Sequence, residues 1–448
     1  MQTPQIHTRL SRRAALASPL AVGGLSALVP LLSACAAGQP QQAGQVRLTK
    51  ATTRTGKLTI VYAPSPVFDE LTRRLEQETG WTAEWIGGGY DENHNKITVG
   101  LAGGAAFDVV TVDTIWTAEF AKAGFLIPVK DLIPEDTRKD LLPHALMEWS
   151  YEDIPYAVPH SNSIMSFYYN DRLLKQAGYD APPKTWEQVV EMSRTMMDKG
   201  IAKFGMAAGW KQLEGLTCYY NNFFRAYKGE WQDRDGRWIF NQGAGLKALQ
   251  YMVDTLYGSR ITDPASVTLG DRDSVNIFIN GTVAFMPNWG FAYQFAKTAP
   301  DSKIANDIRI TLMPGMRETG VVSASTTGGN AAGVTRVSKQ HDIAIKAALL
   351  FADPAIQKKA IEVARGAFQP SRISLYDDPW VKSTYPEVLE VRKQYEYGFR
   401  RPPIPWYYEW SNILQQAVQQ ALTRAKTPEQ ALNDAVKLIN DRAQLYKK

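Results

Sequence analysis

Aromatic side chains stand beside acids and amides where this 448-residue chain turns. Trp116 follows Asp113 at the end of an apolar run, Trp210 follows Gly209, and Trp289 sits between Asn288 and Gly290. Trp406, Tyr407, Tyr408, Glu409 and Trp410 lie together ahead of a helical stretch. A flat ring covers the apolar C–H face of a pyranose, while carboxylates and amides pair with its hydroxyls. Sugar binding is the chemistry these residues suit best. Any one tryptophan is more often a packing residue than a platform. The sugar reading therefore rests on their number, 12 in all, and on their polar neighbours.

Catalytic constellations are missing by type and spacing. The five histidines, His7, His94, His144, His160 and His341, include no pair at metal-ligand spacing, and HExxH, GxSxG and GxxxxGK[ST] are absent. No catalytic residue, metal or cofactor is expected. Gly87-Gly88-Gly89 follows a strand without a GxGxxG pattern and reads as a turn. The carboxylates Glu78, Asp108, Asp113 and Glu214 keep an exported carbohydrate-active enzyme open, on residue type alone. Of the two cysteines, Cys218 has aromatic neighbours and no histidine nearby, so it reads as a small buried hydrophobe.

The first 35 residues read as an address. Ser11-Arg12-Arg13-Ala14 is a twin-arginine pattern, a weakly apolar stretch follows, and Leu32-Ser33-Ala34-Cys35 resembles a bacterial lipobox whose cysteine becomes the lipid-bearing N-terminus. The expected signal peptide is 1–34, and 35–56, rich in Ala, Gln, Gly and Thr, is an expected tether. Arg9, Arg12 and Arg13 are the only charged side chains before Cys35, so their removal lowers the net charge from +5 to +2. A nearly neutral body argues against a nucleic-acid partner. With 44% hydrophobic and 21% charged residues, the remainder is a globular chain with sizeable cores.

The elements that must position the aromatic sites follow from periodicity. Residues 57–63 form a β-branched run ended by Pro64-Ser65-Pro66; 68–79 carry apolar residues at helical spacing and stop at Gly80. A strand over 81–86, a helix over 95–102 and a continuous apolar strand over 107–112 follow, with Asp113 at its end and a helix running to Ala123. Alternating strands and helices make an α/β chain with a parallel sheet. Ligands bind beyond the carboxyl ends of such strands, which puts the loops at Ser65 and at Asp113-Thr114 on the functional edge. Helices are expected over 186–199 with Thr185 as N-cap, and over 245–257, 342–352, 410–425 and 428–444.

These segments resemble the extracellular solute-binding lipoproteins of bacterial ABC importers, in the sugar-binding group that includes maltose- and trehalose-binding proteins. The resemblance is carried by GGAAFDVVTVDTIWTAEFAKAGFLIPV (103–129), YAVPHSNSIMSFYYNDRLLKQAGYDAPPKTWE (156–187), IFINGTVAFMPNW (277–289), GAFQPS (366–371) and the closing region 401–435. It spans nearly all of the mature chain. It implies a periplasmic-binding-protein-like α/β fold of two lobes with a central cleft and three hinge crossings, near 160–163, 326–330 and 368–371. The N-terminal lobe would comprise 57–162 and 328–369, the C-terminal lobe 163–327 and 370–448. It also implies a monomeric, lipid-anchored, extracytoplasmic receptor that binds a mono- or oligosaccharide, performs no chemistry and hands the ligand to the membrane permease.

The expected ligand-binding residues are Ser65, Asp113, Trp116, Asn162, Trp210, Trp289, Gly329, Asn330, Arg401, Tyr408 and Trp410, with Cys35 lipidated. Two departures from the resemblance bear on the ligand. His160-Ser161-Asn162-Ser163 lacks the acid that several relatives carry there, and Asn330 follows Gly328-Gly329 where some relatives place an aromatic or small residue. A non-sugar solute such as a glycerophosphodiester or a polyamine is the alternative, with Arg401 the main candidate for a phosphate.

Overall fold

A computed structural model describes residues 47–446. The twin-arginine segment, Cys35 and most of the expected tether lie outside the described residues.

Three strands open the chain: β1 (Gly56–Val61), β2 (Trp81–Trp85) and β3 (Val109–Asp113), paired in parallel in the order β2-β1-β3. The helix Pro66–Thr79 links the first two. Val67, Phe68, Leu71 and Leu75 form its buried face, Ser65 Oγ accepts from the Val67 amide at 3.4 Å, and Gly80 ends it at φ 76°. The helix Tyr90–Ala102 links the second and third strands and begins five residues earlier than periodicity suggested; at its start Asn93 Oδ1 accepts from the Gly88 amide at 2.8 Å and the Glu92 carboxylate from the Gly89 amide at 3.4 Å.

A short hairpin of β4 (Ser150–Tyr151) and β5 (Ile154–Pro155) precedes β6 (Val158–Ile164) and β7 (Ser166–Asn170). Only Met165 separates β6 from β7, yet the two belong to different sheets. With β8 (Phe204–Met206), β9 (Val283–Asn288) and β10 (Ile308–Thr311), β7 forms a second sheet in the order β10-β7-β9-β8. The ten-residue β11 (Ser325–Val334) returns to the first sheet, where it lies antiparallel to both β3 and β6, and β12 (Gly398–Phe399) pairs with its start.

The three segments expected to cross run side by side. Gly329 is paired with Asn162, Ser161 bridges Pro370, and the Asn162 amide donates to the Gln369 carbonyl at 3.0 Å. Gly329 is at φ 135°, and a Cβ there would stand 2.1 Å from the Ser161 carbonyl oxygen. Only glycine permits that approach. The first residues of β11 are tied to the second-sheet body: Ser325 Oγ donates to Met165 O (2.6 Å) and Thr326 Oγ1 to Cys218 O (2.9 Å).

Helices Glu214–Ala226, Gly243–Tyr257, Tyr407–Leu422 and Pro428–Tyr446 pack together on the second-sheet side. Residues 373–395, expected in the C-terminal lobe, build a satellite core. Leu375, Tyr376, Val388 and Val391 join Leu141, Leu142 and Ile361 from the expected N-terminal segments, with Ile310 of β10 against them. Cys218 is fully buried, and burial pushes its thiol up, out of reach of ionisation. Among the described residues no helix is long and apolar enough to cross a membrane.

Candidate functional site

The carboxyl end of β3 supplies the first half of the site. Asp113 is 8% exposed and ends the strand. Its Oδ1 accepts from the Ile115 amide and the Thr114 hydroxyl, both at 3.1 Å, so it caps the turn Thr114–Trp116. The same oxygen lies 3.7 Å from Arg401 Nη2, while Oδ2 makes no hydrogen bond among the described residues. Capping and a polar function thus coexist on one carboxylate.

Arg401 is the hub. It is 7% exposed; Nη1 donates to Glu214 Oε1 at 2.8 Å and Nη2 to Thr114 Oγ1 at 3.1 Å. Nη2 also reaches the Thr327 carbonyl at 3.4 Å, and the guanidinium lies over the Tyr407 ring. One guanidinium therefore joins β3, the helix Glu214–Ala226 and β11. Burial works against its charge, but the carboxylates of Glu214 and Asp113 beside it outweigh that and hold it protonated. Glu214 is held in turn by the Tyr407 hydroxyl and by Ser411 Oγ at 2.7 Å. Nearby, burial raises the Glu148 carboxyl, whose Oε1 accepts from Thr327 Oγ1 (2.7 Å) and whose Oε2 has no partner among the described residues. Thr114, Glu148 and Arg401 line a residual crevice of about 10 Å³, room for one water.

Aromatic rings flank this polar centre. Trp116 Nε1 donates to the Tyr408 hydroxyl at 2.7 Å, and its ring lies 4.9 Å from Tyr90 and 5.2 Å from His94. The His94 ring is 4.4 Å from Tyr408, and its Nε2 is 2.9 Å from Glu119. Trp289 leaves the end of β9 half-buried, with its carbonyl accepting from Tyr168 Oη at 2.9 Å. Its indole edge would lie 3.4 Å from a Cβ placed on Gly328, the same distance as Arg401 Nη2. The ring thus reaches from the second sheet to β11. Beneath it sits Asp271. Burial raises that carboxyl to about 6, and the side chains of Tyr219 and Trp289 beside it partly oppose the rise. Gly209 and Gly215 leave the room it occupies.

Trp116, Asp113, Arg401 and Tyr408 are thus brought together, with Trp289 across from them. Asn162 and Asn330 line the adjoining strand pair. Asn162 is 4% exposed with Oδ1 unpartnered among the described residues, and Asn330 is in register with Asp113. Ser65 uses its hydroxyl to cap a helix, and Gly329 serves the close strand approach.

Two expected residues belong elsewhere. Trp410 is fully buried among Trp231, Trp238 and Tyr407, with ring centroids 4.9–5.5 Å away, so it cannot offer a face to a ligand. Trp210 is likewise fully buried, its backbone amide bonded to Ser266 O. The space beside Trp289 that Gly290 leaves is taken by Gln369, whose amide nitrogen would stand 2.5 Å from a Cβ there.

Sequence reasoning named Glu214 only as one of four carboxylates and did not single out Tyr90, His94, Tyr407 or Glu148. Of those four carboxylates, Glu78 is paired with Arg74 and Lys346 on the surface, and Asp108 accepts from Thr59 N, Ser338 and Gln340. Only Asp113 and Glu214 converge, and they do so on one arginine.

A family model described as bacterial extracellular solute-binding protein matches residues 61–360. A probable ABC transporter-binding protein of Deinococcus radiodurans is 28% identical over 334 residues, covering 72% of this chain and 77% of the relative. A probable amino-acid ABC transporter periplasmic-binding protein, y4oP of Sinorhizobium fredii, is 26% identical over 373 residues, 81% and 83% of the two chains. Among solved structures, the maltose-bound MalE3 of T. maritima superposes with a TM-score of 0.75 at 26% identity, covering 85% of this chain and 98% of that one.

Proposed function

The chain belongs to the bacterial extracellular solute-binding protein family, and from that premise we propose that it is the receptor of an ABC importer that closes on a sugar or polyol between two lobes. Family and fold are those of a non-catalytic binding protein. The observation that carries the ligand class is the convergence of Asp113, Glu214 and Arg401 between the rings of Trp116, Tyr408 and Trp289. Carboxylates and a guanidinium pair with vicinal hydroxyls, and rings cover the C–H face.

One relative is named as an amino-acid transporter component. A zwitterion needs a free cation for its carboxylate, and here Arg401 is already bonded to Glu214. That favours a neutral polyhydroxyl ligand, as does the maltose in the MalE3 structure. The carboxylates of Glu214 and Asp113 beside Arg401 also disfavour a phosphodiester, whose charge they would repel. The lobes are taken as 57–162 with 328–369 and 163–327 with 370–448, the chain as a monomer, and the 1–34 segment as an export signal.

Titration calorimetry of residues 36–448 against maltose, maltotriose, mannitol and ribitol should give saturable one-to-one binding to at least one. Heat with glycine, glutamate or glycerophosphocholine and none with any sugar or polyol would overturn the ligand class. Lipidation at Cys35 predicts that the full chain stays with membranes through a carbonate wash and that Cys35→Ala is released. Retention of Cys35→Ala would remove the anchor.

A further inference from the structure

A second pocket, of about 360 Å³, opens on the second-sheet side of the molecule. Phe204, Leu256, Tyr257 and Thr262 line it, and Arg260 and Arg424 stand at its rim. It is remote from the polar centre. Tyr407 and Ser411, which hold Glu214, begin the helix Tyr407–Leu422, and Arg424 lies just past its other end. At 1.5 Å per residue those ends are about 24 Å apart.

Four features single the pocket out. Arg260 and Arg424 are both held at positive φ, 55° and 61°, where a helix ordinarily closes with glycine. The guanidinium of Arg424 lies 3.5 Å from the Tyr257 ring centroid, and the Tyr257 hydroxyl donates to Leu422 O at 2.7 Å, which fixes the ring beneath it. Arg260 spends only Nε, on the Tyr257 carbonyl (3.3 Å), and neither arginine has an acidic partner among the described residues. Thr262, 1% exposed, carries a buried Oγ1 with no hydrogen-bond partner in the pocket wall. Buried hydroxyls are rarely left unpaired, and free guanidiniums bind oxyanions in pairs of hydrogen bonds.

We propose that this pocket binds a small organic anion with an apolar body. Carboxylate, sulfonate or phosphomonoester oxygens meet Arg260 and Arg424, the body lies against Phe204, Leu256 and Tyr257, and a polar atom reaches Thr262. Its size suits a ligand of one ring.

The probe is 4-(trifluoromethyl)benzoate, followed by the broadening of its fluorine resonance on adding residues 36–448. Wild-type protein should broaden it at submillimolar probe. The neutral 4-(trifluoromethyl)benzyl alcohol should bind at least tenfold more weakly. Arg260→Gly and Arg424→Gly adopt the positive φ without strain, so each should melt no lower than wild type while losing at least tenfold in probe affinity. Thr262→Val should lose affinity by a smaller factor, and Trp289→Ala, at the cleft, should bind the probe like wild type. Absence of broadening at millimolar probe, equal affinity for the alcohol, unchanged affinity in the glycine variants, or loss in Trp289→Ala would each overturn the assignment.

Discussion

Trp289 and Trp410 begin alike, each a tryptophan at a chain turn with polar neighbours, and end in opposite surroundings. Trp289 stands at the end of β9, where pairing with β7 stops at Asn288, and its ring projects half-buried toward Gly328 and Arg401. Trp410 lies on the helix Tyr407–Leu422, on the face that also carries Tyr407, Leu414, Ala417 and Val418, and is fully buried. A strand end releases its last side chain from the sheet. An amphipathic helix commits every third or fourth side chain to the core. The element, more than the residue type or its neighbours, decided which ring was free to meet a ligand.

Substitutions at the two positions should therefore separate stability from binding. Trp410→Ala should show the largest effect, a loss of about 3–5 kcal/mol of folding stability as for other buried tryptophans, read as a lower urea midpoint. Its folded fraction should bind solute with wild-type affinity. Weaker binding at unchanged stability would put Trp410 back in the site.

Asp271, beneath Trp289, should give the next largest effect. Burial lifts its carboxyl from 3.8 to about 6. The folded chain keeps that proton over a range where the unfolded chain has released it, so this group's contribution to stability falls as pH rises from 3.8 to about 6. The full change is on the order of 3 kcal/mol. Asp271→Asn should raise the melting temperature at pH 7.5 and flatten its dependence between pH 4 and 6. An unaltered pH profile would mean that the carboxyl is not desolvated.

Trp289→Ala should cost the least overall and only in binding. One lost stacking surface is worth about 2–3 kcal/mol, or roughly a 30- to 150-fold weaker dissociation constant. The melting temperature without ligand should barely move, because the ring is only half-buried. Full-affinity binding by a folded Trp289→Ala protein would erase the contrast with Trp410.

The legible parts of the fold were local. Ser65, Pro66 and Gly80 bracket their helix, Thr185 accepts from the Gln188 amide as an N-cap should, and the apolar run before Asp113 is a buried strand. Half of the candidate site was legible for the same reason: strand ends mark the functional edge of a parallel sheet, which led to Asp113 and Trp116, while Trp289 stood out by its place between Asn288 and Gly290. Trp410 was misread although its signal was present, since Trp410, Leu414, Ala417 and Ala421 already have helical spacing. Glu214 and Tyr407 carried no comparable signal. Their roles depend on Arg401, which is 187 residues from Glu214 in the chain.

The sequence by itself determined the elements, their caps and the edge on which a ligand would sit, because capping and amphipathicity act within a few residues along the chain. Tertiary structure alone decided which polar groups meet and which rings stay free. Arg401 joins Asp113 and Glu214, Gly290 makes way for Gln369, and Gly329 lets β11 press on Ser161, through contacts between segments far apart in sequence. Such pairings depend on how the packed bodies fill space, and no local pattern of residues encodes that.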